Sequence, residues 1–494
     1  MNTSTLATLA LYFVAMIGIG LYAWRKSTDT SEGYLLAGRN LPPAVAALSA
    51  GASDMSGWLL LGLPGALYVS GLSASWIGIG LFMGAVVNWI VVAPRLREQT
   101  ESYGNSLTIP QFLANRFPEQ AIALRVISAI VIVIFFTVYS AASLVGGGEL
   151  FETAFAGLLP DIGMSDYMMG VIITALVVLA YTMVGGFLAV SLTDFVQGVI
   201  MMLALVIMPL VIMFGSGGDA GGDLAQVPIP GFLSFTEGLT LIGFISLITW
   251  GLGYFGQPHI IVRFMAIDTV ERVAKARNVA LMWMAISLIG AVGVGLAGRA
   301  YSGRIGDVLP DSDAQTIFIV LSDLLFHPFV TGFLYAALLA AIMSTISSQL
   351  LVSSSSLTED FYRLFFRKEC TEAEAVTVGR ISVALVSVAA IFLASDDDSQ
   401  VLDLVANAWA GFGAAFGPLI LLTLTWRGMT GAGAVAGLIT GAAVVGGWLA
   451  MGWNQSFLGG EGLYEIVPGF LAALLAIVLV SKAGASEPQA QLAE

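Results

Sequence analysis

Residues 5–24 read TLATLALYFVAMIGIGLYAW, twenty consecutive positions without a charge. About 20 apolar residues span a bilayer as a helix, and segments of this kind recur along the 494-residue chain. Hydrocarbon forces every backbone polar group to be satisfied internally, which leaves helices or closed barrels, and runs this long choose helices. Only 11% of residues are charged against 57% hydrophobic, where a soluble domain carries about 25% charge, so a water-facing surface cannot be built. The expectation is an all-α polytopic membrane protein. The first segment has no basic residue before it and Arg25–Lys26 after it, the reverse of a cleaved signal, and reads as retained. A single cysteine, Cys370, excludes an intrachain disulfide, and a net charge of −14 argues against nucleic acid as a partner.

Thirteen segments can be placed, centred near residues 14, 56, 84, 135, 176, 203, 249, 289, 341, 388, 413, 440 and 475. Lys and Arg favour the cytoplasmic side of a membrane. With the N-terminus outside, 17 of the 19 basic residues fall inside, among them Arg39, Arg97, Arg263, Lys368 and Lys482, and only Arg299 and Arg304 fall outside. The C-terminus is then cytoplasmic. Asp161, Asp166, Asp219, Asp223, Asp307, Asp311, Asp313 and the acidic run 396–398 lie on the outer side. They read as a solvated face, or as one that raises local cation concentration and so affects rate.

Two segments are interrupted. GASDMSG (51–57) breaks the second and GLGYFGQP (251–258) the seventh. Glycine and proline are poor helix formers, and freed backbone groups at membrane depth are tolerated only against protein or a water-filled cavity. Five spans separate the two breaks, so the broken helices run in opposite directions. That is the trace of an inverted repeat with a site near the midplane. The repeats are expected over 43–215 and 237–426. A first helix and loop (1–42), an outer loop (216–236) and two C-terminal helices with a short tail (427–494) complete the chain.

Asp54 sits inside the first break. An aspartate at membrane depth costs about 2.5–3.5 kcal/mol on insertion scales and is a functional hypothesis by default. With no basic residue in its own span, either a mobile cation is its partner or it caps the restarted half-helix. In the ninth span Ser344 and Thr345 are adjacent hydroxyls. They serve close helix packing, or, with carbonyls around Ala52 and Met55, they offer the oxygen ligands that hard cations want. Ser56, Trp58 and Gly62 on one break and Trp250, Tyr254 and Pro258 on the other suggest a solute pocket. The last three share a face if helix persists, although such spacing also describes an ordinary packing stripe. His259 reads as interfacial.

The chain resembles the sodium/solute symporter family over almost its whole length. The resemblance rests on residues 34–71 (YLLAGRNLPPAVAALSAGASDMSGWLLLGLPGALYVSG), 185–201 (GGFLAVSLTDFVQGVIM), 250–266 (WGLGYFGQPHIIVRFMA), 339–362 (LAAIMSTISSQLLVSSSSLTEDFY) and 409–418 (WAGFGAAFGP). It implies thirteen transmembrane helices around a leucine-transporter-like five-plus-five inverted repeat, in a bacterial cytoplasmic membrane. It also implies sodium as coupling ion, L-proline as solute and surrounding lipid as partners, with no other cofactor and no oligomer required. The sodium ligands would be the carbonyls of Ala52, Met55 and Ala341 and the hydroxyls of Ser344 and Thr345, with Asp54 as an essential carboxylate nearby. Ser56, Gly62, Trp250, Tyr254 and Pro258 match proline-binding positions. Trp58, Tyr139, Arg39 and Asp194 match positions linked to transport or coupling, the last two suiting a gate or release path. One departure is Ser348, at a position where a cysteine is known. Rival readings are a sodium-coupled carrier of another small organic solute, a channel, or a membrane enzyme using Asp54. The last lacks a second catalytic group, since only two histidines and one cysteine are present.

Overall fold

A computed structural model describes residues 3–27, 31–156, 163–215, 220–306, 309–367, 369–396 and 400–484. Asp161, Asp219, Asp307, Lys368, Asp397, Asp398 and the tail beyond 484 lie outside the described residues. Within them the chain is helical, and the one β-type pairing is an isolated parallel bridge between Leu41 and Ile267. Among the described residues, eleven helical stretches are long and apolar enough to cross a membrane.

In chain order the helices are α1 (Thr3–Ser27), α2 (Ser31–Leu36), α3 (Pro43–Asp54), α4 (Gly62–Ser70), α5 (Trp76–Val87), α6 (Ala93–Ser102) and α7 (Ile109–Arg116). Then come α8 (Ala121–Ala154), α9 (Asp166–Leu210), α10 (Ala220–Ala225), α11 (Leu241–Ile248), α12 (Pro258–Ala266), α13 (Val273–Ile305) and α14 (Ile317–Leu325). The chain closes with α15 (Pro328–Ser355), α16 (Arg363–Phe365), α17 (Glu372–Leu393), α18 (Val401–Thr425), α19 (Gly431–Ala450) and α20 (Ile466–Gly484).

The segments centred at 176 and 203 are two spans, Asp166–Met183 and Gly186–Gly215, that run on from each other in α9 across a kink at Gly186, whose φ of 60° and ψ of −160° only glycine adopts readily. A Cβ there would also press to 2.7 Å from the Tyr34 ring. Helix α15 is the centre of the molecule: every residue from Leu334 to Ser355 is buried. A helix with no exposed face is enclosed on all sides, and α1, α3, α8, α9 and α17 enclose it.

The first break begins later than the glycine pattern suggests. Helix α3 continues through Asp54, so Ala52 is helical, and the chain leaves the helix at Met55 (φ −80°, ψ 54°). A 3₁₀ turn over Gly57–Leu59 follows, and helix resumes at Gly62. At the second break α11 gives way to a 3₁₀ turn over Thr249–Gly256, then extended Gln257, and Pro258 opens α12 at its first position. Trp409 packs directly on this turn: a Cβ on Gly253 would lie 1.9 Å from its indole nitrogen, so only glycine fits there.

Candidate functional site

The first break packs on α15, and α12, which follows the second, also reaches it. The Ser344 hydroxyl lies 2.7 Å from the Ala52 carbonyl and 3.1 Å from that of Ala341, and the three oxygens form one group. Ala52 can offer its carbonyl because it sits in the last turn of α3, where carbonyls lose their intrahelical donors. Thr345 is fully buried and its hydroxyl has no partner among the described residues. Carbonyls and hydroxyls of this kind suit a hard monovalent cation. Among the described residues no cluster of three or more His, Cys, Asp or Glu could hold a metal ion.

Asp54 is buried at 2% exposure. One of its carboxylate oxygens accepts a short hydrogen bond from the Tyr254 hydroxyl, and the other, Oδ1, has no partner among the described residues. The capping alternative does not hold. Asp54 ends α3, and the residue that caps the next turn is Ser56, whose hydroxyl accepts from the Trp58 amide at 3.4 Å. The Tyr139 hydroxyl donates to the Asp54 carbonyl at 3.4 Å. A cavity of about 20 Å³ opens beside Asp54, Met55 and Tyr254, walled by Trp89, Trp283 and Met284.

The aromatic candidates part company. A 3₁₀ turn has three residues per turn, so Trp250 and Tyr254 do not share a helical face with Pro258. Trp250 faces Trp58, with ring centroids 6.4 Å apart. Tyr254 reaches Asp54 and sets its ring edge-on to Trp409 at 5.1 Å. Pro258 lines a separate small cavity with Ile132, Val262 and Leu351. Gly62 begins α4, where a Cβ would come 3.1 Å from Leu402. His259 is not interfacial: it is fully buried, its ring edge-on to Phe136 at 5.3 Å and Tyr139 at 5.8 Å.

Arg263 and Asp194, which the charge count sets toward the cytoplasmic side, are enclosed by helices. Both side chains are at 0% exposure and pair at 3.3 Å. Ser49 donates to Asp194 at 2.7 Å, and Arg263 donates to Ser49, to the His259 carbonyl and, by a short bond, to Ser348. These bonds hold Arg263 and Asp194 Oδ2, while Asp194 Oδ1 has no partner among the described residues, and Ser348 places the pair one turn of α15 from Ser344. Arg39 lies apart from these groups, at the foot of α3. Burial and the neighbouring Arg97 charge push its guanidinium down to about 10, still charged at neutral pH.

Two residues join the site that the sequence did not single out as site residues. Trp409 donates its indole N–H to the Trp250 carbonyl at 2.7 Å and accepts from Gln257 through its own carbonyl at 3.1 Å, so it bridges the second break. Tyr464, from the turn before α20, stacks on Trp250 at 5.3 Å with an interplanar angle of 27°. Its hydroxyl donates to the Ala406 carbonyl at 2.9 Å and its amide to Ser246 at 3.1 Å.

Residues 34–441 match the sodium:solute symporter family. The chain is 50% identical over 492 residues to a sodium/proline symporter of Staphylococcus aureus (strain JH9), covering 97% of this chain and 93% of that one. Its fold is similar to that of a Na+-coupled sialic acid symporter in a substrate-bound outward-open state (TM-score 0.77, 19% identity, 99% and 100% of the two chains). A nucleobase-cation-symport-1 family transporter, closed with bromovinylhydantoin bound, is more distant (TM-score 0.54, 14% identity, 93% and 95% covered).

Proposed function

The chain belongs to the sodium:solute symporter family, and we propose that it is a secondary active transporter coupling inward sodium flow to uptake of L-proline by alternating access. What supports this most directly is the oxygen group of Ala52, Ala341 and Ser344, set beside Asp54 where the first break meets α15. Sodium takes those carbonyls with Met55, Ser344 and Thr345, and Asp54 supplies negative charge. Ser56, Trp58, Gly62, Tyr139, Trp250, Tyr254 and Pro258 form or support the solute pocket, and Arg39 and Asp194 act in coupling or release. Sodium fixes the first break and so preorganises the pocket; linkage then requires L-proline to tighten sodium by the same factor.

In this reading the protein is a carrier and not an enzyme, with thirteen membrane-spanning helices in a bacterial cytoplasmic membrane, N-terminus outside and C-terminus inside. The interrupted pairs α3–α4 and α11–α12 are the first spans of two inverted repeats over 43–215 and 237–426. The flanking parts are 1–42, 216–236 and 427–494. One sodium suffices: a charge crossing 100 mV yields about 2.3 kcal/mol and a tenfold gradient about 1.4 kcal/mol. Together they sustain roughly a several-hundred-fold solute gradient.

Labelled L-proline uptake into proteoliposomes tests this, with inward sodium set against matched potassium and proton gradients. Accumulation with sodium alone is expected. Equal uptake in all three gradients would refute the ion, and no uptake would refute the solute. Tyr464 gives a second expectation. Truncating a stacked aromatic partner costs about 0.5–1.5 kcal/mol beyond burial. Tyr464→Ala should therefore raise the L-proline concentration for half-maximal uptake roughly tenfold and leave the sodium requirement in place. Tyr464→Phe, which keeps the ring, should stay close to wild type. Equal shifts in both constants for Tyr464→Ala would contradict the pocket assignment.

A further inference from the structure

The end of α12 is bound with unusual completeness. The last carbonyls of a helix have no intrahelical partners and carry its negative pole. Here the Met265 carbonyl accepts from Arg39 Nη1 at 2.9 Å, and the Ala266 carbonyl from the Leu41 amide at 3.0 Å. Just beyond the helix, Arg97 donates through Nε to the Ile267 carbonyl at 2.6 Å and through Nη2 to that of Asp268 at 3.2 Å. The Asp268 amide returns a bond to Leu41 at 3.3 Å, which closes the Leu41–Ile267 bridge. Arg39 is held in turn by Asn105, Thr100 and the Ser106 carbonyl, and Arg97 by Glu101 at 2.6 Å. Arg97 is 4% exposed, and Leu41 and Ile267 are fully buried.

Leu41 is two residues from the first residue of α3, and Met265–Asp268 is the end of α12. The joint thus ties the start of α3, which leads into the first break, to the end of α12, which leads out of the second. A gate would have to surrender these bonds in every cycle, stranding a buried guanidinium and several carbonyls, which is costly for groups shielded from water. Taking the carrier reading as given, we propose that Arg97 and the Leu41–Ile267 bridge are a permanent fastener that makes α3 and α12 one body through the transport cycle. Arg97 is then a positioning residue: it touches neither ion nor solute, and it sets where Asp54 on α3 stands relative to Tyr254, which precedes α12.

A disulfide in place of the bridge tests this. The strand-like spacing of about 4.8 Å lies within the Cα range of natural disulfides. In a Cys370→Ser parent, Leu41→Cys with Ile267→Cys should, once oxidised, transport within about twofold of its reduced form. A block released by reductant would overturn the fastener. Arg97→Gln should raise the sodium concentration for half-maximal uptake about tenfold at normal membrane abundance, and the oxidised cysteine pair in that background should restore it. An unshifted constant, or no rescue, would contradict the positioning role. Hydrogen exchange gives a readout independent of the solute. The Leu41 and Asp268 amides should stay equally protected without sodium, with sodium, and with sodium plus L-proline; loss of protection in any state overturns the proposal. Failure of the parent to take up L-proline would count against the carrier reading alone.

Discussion

Asp54→Asn is expected to lower sodium-driven L-proline uptake roughly a hundredfold or more while the protein still reaches the membrane in normal amount. Asparagine keeps the shape and a carbonyl to accept from the Tyr254 hydroxyl, so packing survives. What it removes is the charge. Breaking a buried charge pair costs about 3–5 kcal/mol, which is a hundredfold or more in affinity. The fold should not suffer, because a buried carboxylate lacking a full set of partners is a burden that a neutral amide relieves. Uptake in proteoliposomes and thermal unfolding in detergent, measured on the same preparations, should therefore move apart. If uptake persists near wild-type level, Asp54 has no part in coupling.

Ser344→Ala should raise the sodium concentration for half-maximal uptake between about tenfold and a hundredfold, with part of the maximal rate recovered at saturating sodium. The hydroxyl is the contact between the Ala52 and Ala341 carbonyls. Its loss removes one oxygen ligand and frees the Ala52 carbonyl at the end of α3 to drift, an effect of about 1.4–2.8 kcal/mol. Ser344→Cys separates ligand from filler, because sulfur is similar in size but a poor donor to a hard cation. The cysteine variant should behave like alanine. If it behaves like serine, the group at 344 is there for packing.

The two breaks were legible because glycine, proline and a carboxylate in an apolar span have few structural uses. Their edges were not. α3 runs through Gly51 and Ala52 because the turn is set by where Ser56 can cap, not by where glycine appears. The shared face of Trp250, Tyr254 and Pro258 assumed a 3.6-residue period, whereas the segment is a three-residue-per-turn 3₁₀ turn with Trp409 packed on Gly253. Arg263 was counted only by side of the membrane, because charge counting has no term for a buried partner; Asp194 supplies one from a helix 69 positions away. Tyr464 enters from an element outside both proposed repeats, 214 positions from the Trp250 ring it covers. No local pattern reports such a contact.

The stack of Trp58, Trp250 and Tyr464 has a further consequence. Two indoles 6.4 Å apart and inclined by 42°, with a phenol against one of them, are near enough for their electronic transitions to couple. The protein therefore carries its own optical label. A solute entering between the rings would alter that coupling and change the near-ultraviolet circular dichroism at once. Occupancy could be followed in unlabelled protein on the timescale of mixing, with Trp58→Phe and Trp250→Phe as the variants that erase the signal.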